Sequence, residues 1–215
     1  MVSTTTELKN IKLHYFTVVK GSTTMGRGEF IRLLLEDAGI DFEYIRHTFA
    51  EWKDLKQELI AKKIPAPTMP YITVDGKYFG KTIPVIRYIC RKLGKYEGSN
   101  DEEKQLLDVY LDIVMDWASS WSSVSFGEGT PESKIKLYKE TQAPNMYKVF
   151  EDILSNTEGP YLLGKEISYA DFLLYHMMED DGSPIDAASQ PHLSRFVNEI
   201  EKRPNMAKYF ATDRK

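Results

Sequence analysis

Hydrophobic positions follow two regimes along the chain. Between residues 11 and 94 their period keeps changing. Ile11, Leu13 and Tyr15 alternate with Lys12, His14 and Phe16, which is the two-residue period of a half-buried strand. A polar loop containing Lys20-Gly21-Ser22-Thr23-Thr24 follows. Phe30, Ile31, Leu33, Leu34, Leu35 and Ala38 then recur at helical spacing, and Gly39 stands where helix C-termini favour glycine. Residues 42–46 predict a second strand, and residues 51–62, with Trp52, Leu55, Leu59 and Ile60, a second helix. Residues 69–74 and 77–79 flank Asp75-Gly76, a dipeptide suited to a type I′ hairpin turn. Thr82-Ile83-Pro84 then starts a helix, with Thr82 read as its hydroxyl cap, that runs through Val85, Ile86, Ile89 and Leu93 to Gly94.

Residues 95–100 are small and polar and have no apolar period, and every later segment is helical in pattern. Helices are predicted over 101 to about 123, 131 to about 154, 168 to about 179, 191 to about 202, and 206–210. The expected organisation is a mixed α/β domain over 1–94, with a flexible lead over 1–10, a linker over 95–100, and an all-helical domain over 101–215. No repeat or low-complexity tract interrupts it.

Composition narrows the chemistry. The chain has 215 residues, 42% hydrophobic and 28% charged, with a net charge of −4, close to globular averages. Lys and Arg are scattered among Asp and Glu, so no basic field points to nucleic acid. The lone Cys90 excludes an internal disulfide, a CxxC redox pair and a cysteine-based zinc site, and four histidines show no metal-binding spacing. No metal is expected. Cys90 follows Val85, Ile86 and Ile89 at helical spacing and reads as a small core residue. The N-terminus has no apolar signal core and no run approaches 18 apolar residues, so the expectation is a cytoplasmic protein without a membrane partner.

Two glycine motifs fail on spacing. Gly76-Lys77-Tyr78-Phe79-Gly80-Lys81-Thr82 has three residues between its glycines where a phosphate-binding loop needs four. Gly26-Arg27-Gly28 lacks the third glycine of a dinucleotide fingerprint.

A different set of stretches carries a resemblance. Leu13-His14-Tyr15-Phe16, Gly26-Arg27-Gly28-Glu29-Phe30-Ile31-Arg32, Ala50-Glu51-Trp52-Lys53-Asp54-Leu55-Lys56, Met69-Pro70 with Val74-Asp75-Gly76, Ile86-Arg87-Tyr88-Ile89 and Ile167-Ser168-Tyr169-Ala170-Asp171-Phe172 stand in this order. The last has a clear physical content: a capping box in which Asp171 reaches back to Ser168. From about Lys12 to about Phe210 the chain resembles the cytosolic glutathione transferases, nearest to the sigma and pi types.

The resemblance implies a thioredoxin-like N-terminal domain, an all-α C-terminal domain, and glutathione as co-substrate with no cofactor. It implies that Tyr15 is catalytic, its phenol donating to the glutathione sulfur and stabilising the thiolate. Met69, before a cis Pro70, would pair through its backbone with the cysteinyl part of glutathione, and Arg27, Trp52 and Lys56 would meet its glycyl end. Lys81-Thr82 stands where similar proteins carry Gln-Ser or Glu-Ser against the γ-glutamyl end. The family pattern further implies a homodimer in which Asp112 reaches the partner's glutathione, and a pocket for a hydrophobic electrophile built with Trp121 and Phe126. The function expected is conjugation in detoxification, with reduction of organic peroxides as a further activity. Alternatives are a non-catalytic binding or dimerisation module of the same fold, and a sigma-type glutathione-dependent isomerase. Tyr15 and Arg27 are farther apart than in similar proteins, so the loop 18–25 carries an insertion, and Ser22, Thr23 or Thr24 is the competing source of the activating hydroxyl.

Overall fold

A computed structural model describes residues 8–17, 24–127 and 129–214. In it the alternation of Ile11, Leu13 and Tyr15 forms strand β1 (Ile11–Phe16), with Ile11 and Leu13 buried and Lys12 exposed. Helix α1 (Gly28–Asp37) buries Phe30, Ile31, Leu33, Leu34 and Leu35. Each such side chain contributes about 1.5–3 kcal/mol when taken from water, so this face fixes the helix on the sheet. Strand β2 (Phe42–His47) returns parallel to β1, and α2 (Phe49–Ala61) follows. Strands β3 (Tyr71–Val74) and β4 (Lys77–Gly80) form the expected hairpin. Asp75 and Gly76 between them both have positive φ, +48° and +76°, as a type I′ turn requires. The sheet order is β2-β1-β3-β4, with β3 antiparallel to β1. Helix α3 (Thr82–Leu93) completes this thioredoxin-like plan and ends at the left-handed Gly94. Cys90 is buried.

The second unit is helical. Helix α4 (Asp101–Ser125) starts where Asn100 accepts the Glu103 N–H at 2.8 Å, and its apolar stripe of Leu107, Leu111, Val114 and Trp117 is buried. Helix α7 (Tyr169–Asp181) is buried from Tyr169 through Met178. Helix α8 (Pro191–Glu201) packs Leu193, Phe196 and Ile200 inward.

Three details differ from the sequence reading. First, Thr82 is the first residue inside α3 rather than its cap; Lys81 occupies the cap position with φ +69° and its side chain makes no capping bond. Second, the single helix expected over 131–154 is α5 (Glu132–Leu137), a π turn (Tyr138–Gln142) and α6 (Ala143–Ser155). Pro144 has no N–H for the carbonyl four residues back, and the chain widens so that the Ala143 N–H donates to the Tyr138 carbonyl. Third, the C-terminal stretch from Arg203, which contains α9 (Pro204–Phe210), groups with the chain up to Lys95, while Tyr96–Lys202 forms the other unit. Polar contacts hold it there. Arg203 binds Asp37 through two bonds of 2.5 and 2.8 Å, and Asn205 donates to the Asp37 carbonyl at 3.0 Å. Apolar periodicity carries no record of such pairs. Of the lead expected over 1–10, residues 1–7 lie outside the described residues, as do Ser22 and Thr23.

Candidate functional site

The sheet itself gathers the candidates of the first unit. His14 pairs with Tyr71 across β1 and β3, and Tyr71 pairs with Gly80 across β3 and β4. One residue beyond these rungs come Tyr15, Pro70 and Lys81, so the C-terminal end of β1 brings three candidates to one edge. The Met69–Pro70 peptide is cis, as the resemblance implies. Pro70 is buried and Met69 half-buried. Thr82 is 8% exposed at the start of α3, whose first N–H groups form a region of partial positive charge suited to a carboxylate.

Tyr15 is fixed from the other side by α1. Its hydroxyl oxygen accepts the backbone N–H of Arg27 at 3.0 Å, at the N-terminus of that helix. Gly26 and Gly28 explain the motif that the dinucleotide reading could not use. A Cβ at Gly26 would lie 2.6 Å from the Tyr15 hydroxyl, and one at Gly28 2.7 Å from Tyr15 Cγ, so only glycine lets this turn close over the ring. Thr24 accepts the Gly26 N–H at 2.8 Å. Of the three competing loop hydroxyls, this is the one within the described residues, and it helps shape the turn that holds Tyr15.

On the opposite face of the sheet lies α2. Thr48 and Glu51 form its capping box: Glu51 accepts the Thr48 N–H at 2.7 Å and donates its own N–H to the Thr48 hydroxyl at 3.2 Å. Trp52 sits half-buried, edge-on to Phe16 at 6.3 Å and 6.5 Å from Tyr71. Lys56, one turn on, is exposed. Beneath them His14 stacks on Tyr71 at 4.3 Å, and its Nδ1 lies 3.0 Å from His47 Nε2. Burial first, then the His47 and Lys12 charges, push His14 down to about 4, and burial lowers His47 too. His14 is therefore neutral at physiological pH. Burial raises Tyr71 to about 12.

In the second unit, Asp112 is exposed on α4. Trp121, near the end of that helix, is 9% exposed and meets the 59% exposed Phe126 edge-on at 5.3 Å. A cavity of about 770 Å³ in this unit is lined by Glu103, Leu106, Tyr110, Leu162 and Ile167, among others, and not by Trp121 or Phe126. Trp117 donates to the Tyr138 hydroxyl at 2.9 Å, and Tyr138 donates to Asp181. Trp117 is therefore a core residue.

One group escaped the sequence reading. Glu29, in the first turn of α1, is 0% exposed and receives hydrogen bonds from Tyr209 at 2.5 Å and Arg214 at 2.7 Å. A carboxylate beside Phe30 and Ile31 in an apolar stripe was the available signal.

Comparisons with known proteins agree with this architecture. Residues 115–213 match the family model described as "Glutathione S-transferase, C-terminal domain". The chain is 30% identical over 207 residues to glutathione S-transferase P 10 of Caenorhabditis elegans, covering 92% of this chain and 89% of that one. It is also 30% identical to human glutathione S-transferase A2, over 203 residues, covering 92% and 86%. Its fold is that of the pi-class glutathione S-transferase of Onchocerca volvulus, with a TM-score of 0.78 at 23% identity and coverage of 94% and 92%. The Tyr15 edge, the cis Met69–Pro70 peptide and the helical second unit thus stand in a chain that belongs to the glutathione S-transferase family.

Proposed function

We propose that this glutathione transferase activates the glutathione thiol through Tyr15 and delivers the thiolate to hydrophobic electrophiles, a detoxifying conjugation carried out in the cytoplasm. The observation that carries the reading is the 3.0 Å bond from the Arg27 N–H to the Tyr15 hydroxyl. Accepting that bond holds the phenol at the positive end of α1 and polarises its O–H towards donation. A sulfur receiving that donation is favoured as thiolate, so its pKa falls below the value of about 8.5 of an ordinary thiol. The thiolate then attacks the electrophilic carbon, and the leaving group departs with its electron pair.

The rest of the edge supplies binding. The Met69 backbone, turned by Pro70, pairs with the cysteinyl unit. Arg27 and Lys56 offer cationic donors, and Trp52 an indole N–H, to the glycyl carboxylate. Thr82 and the start of α3 receive the γ-glutamyl carboxylate, and the exposed Lys81 adds a positive charge beside it. Trp121 and Phe126 contribute apolar surface for the electrophile. Retention on immobilised glutathione together with turnover of a chloro-dinitro-aromatic is the expected result. Retention without turnover would reduce the chain to a binding module.

The protein works as a homodimer, with the exposed Asp112 of each protomer reaching the glutathione amino group in the other. Sedimentation at micromolar protein should give a dimer. Asp112→Ala should raise the KM for glutathione several-fold without dissociating it, because a rim charge contributes on the order of 1 kcal/mol to ligand affinity and little to a large interface. A monomer would exclude the shared site.

A further inference from the structure

We infer that Arg214 is a positioning residue for the reaction: its guanidinium neutralises Glu29 and so keeps the N-terminus of α1 positive enough to hold the thiolate beside Tyr15. This rests on the thiolate position proposed above.

The geometry is specific. Glu29 follows Gly28, which packs on the Tyr15 ring, and lies two residues after Arg27, whose N–H holds the Tyr15 hydroxyl. Its carboxylate is fully buried at the end of the helix where a second anion, the sulfur, has to be stabilised. Unneutralised, it would oppose that second anion and cancel much of the helix-terminal field.

The chain brings a cation back to this point from 185 residues away. Arg214 Nη2 lies 2.7 Å from Glu29 Oε1, with the side chain 18% exposed. Its guanidinium lies over the rings of Tyr209 and Phe210, at 5.1 and 4.9 Å. Its carbonyl accepts from Arg32 at 2.8 Å and from Arg46 at 3.5 Å. Main chain and side chain are therefore both held, and the charge is placed rather than loosely attracted. The other groups around Glu29 do not substitute for it. Arg32 approaches only to 4.0 Å and lies 3.5 Å from Glu36. Arg46 stacks on Tyr44 at 4.1 Å and donates to the Phe16 carbonyl. Burial raises the Tyr44 and Tyr209 hydroxyls far above the ordinary range, so Tyr209 remains a neutral donor to Glu29. Arg214 supplies the direct countercharge.

The test is a charge cycle read by the ultraviolet thiolate band of bound glutathione. Arg214→Met should raise the thiol pKa by about half to one pH unit, as expected for one uncompensated charge near the helix end at the effective dielectric of a protein. Conjugation at pH 6.5 should fall about three- to ten-fold and recover as pH rises, while glutathione KM stays nearly constant. Arg214→Lys should restore most of the pKa. Glu29→Gln should shift it in the opposite direction, and Glu29→Gln/Arg214→Met should return it towards wild type. A merely structural latch would move stability in all four variants and the pKa in none. If Arg214→Met does not fold, the downward shift in Glu29→Gln decides the matter alone. Unchanged thiol pKa in the folded variants, alongside a raised one in Tyr15→Phe, overturns the role of Arg214 and leaves Tyr15 standing. A shift in Arg214→Met with none in Tyr15→Phe keeps the counter-ion and removes Tyr15 as activator. No shift in either overturns both.

Discussion

Asp171→Ala should destabilise the protein by about 2–4 kcal/mol and lower its melting temperature by roughly 5–15 °C. Asp171 is fully buried at the first turn of α7 and accepts three hydrogen bonds, from the Ser168 N–H at 2.7 Å, the Ser168 hydroxyl at 2.6 Å and the Leu162 N–H at 2.8 Å. Alanine leaves those buried donors without an acceptor, at about 1–3 kcal/mol for each group that water cannot reach, and removes the Asp171 half of the capping box with Ser168. Relief of a buried carboxylate offsets part of this loss. Burial pushes the Asp171 carboxyl up to about 6, against the pull of its three donors. Its raised folded pKa makes this titration stabilise the fold below the unfolded value, and that contribution is lost as pH rises through about 6. The gap between wild type and variant should therefore narrow between pH 5 and 7. Thermal unfolding across that range checks both size and sign; a variant melting within a degree of wild type would show that the capping network does not hold α7.

Tyr15→Phe should cut kcat/KM for conjugation by roughly 10- to 150-fold, because a hydrogen bond to a charged group contributes about 1.5–3 kcal/mol. The loss should appear in kcat. Glutathione KM should change little, since the side chains of Arg27, Trp52, Lys56 and Thr82 and the Met69 backbone hold the peptide at groups other than the phenol. Phenylalanine keeps the ring that lies against Gly28, so the packing of the Gly26–Gly28 turn is kept while both bonds of the oxygen are lost, to the sulfur and from the Arg27 N–H. Steady-state kinetics near pH 6.5, where thiolate formation limits the rate most, is the appropriate measurement. Full activity in this variant, with a loss in Ser22→Ala or Thr23→Ala, would transfer the activating role to the loop.

Legibility in the sequence followed the physics of each signal. The first unit was readable because its elements announce themselves by period: alternation at Ile11, Leu13 and Tyr15, helical spacing from Phe30 to Leu35, and a dipeptide whose turn needs positive φ. The cis peptide was not readable from period at all and came from the family pattern. The π turn at Tyr138 was hidden because Pro144 lies near the start of α6, where a proline pattern fits a new helix as well as a widened one. The return of the chain from Arg203 was invisible for a different reason. Beside the buried Met206, its specific contacts are polar and long-range, Arg203 to Asp37 and Tyr209 and Arg214 to Glu29, and a single sequence records neither partner. The Gly26-Arg27-Gly28 motif is weak only as a nucleotide fingerprint. Its glycines are needed by an aromatic ring instead.

The most direct test of the account is a crystal structure of the protein with glutathione bound. The expected result is the glutathione sulfur within hydrogen-bond distance of the Tyr15 hydroxyl, at about 3–3.5 Å, with the Arg27 N–H still donating to the same oxygen. A sulfur held instead by a hydroxyl of Ser22, Thr23 or Thr24, with Tyr15 turned away, would contradict it.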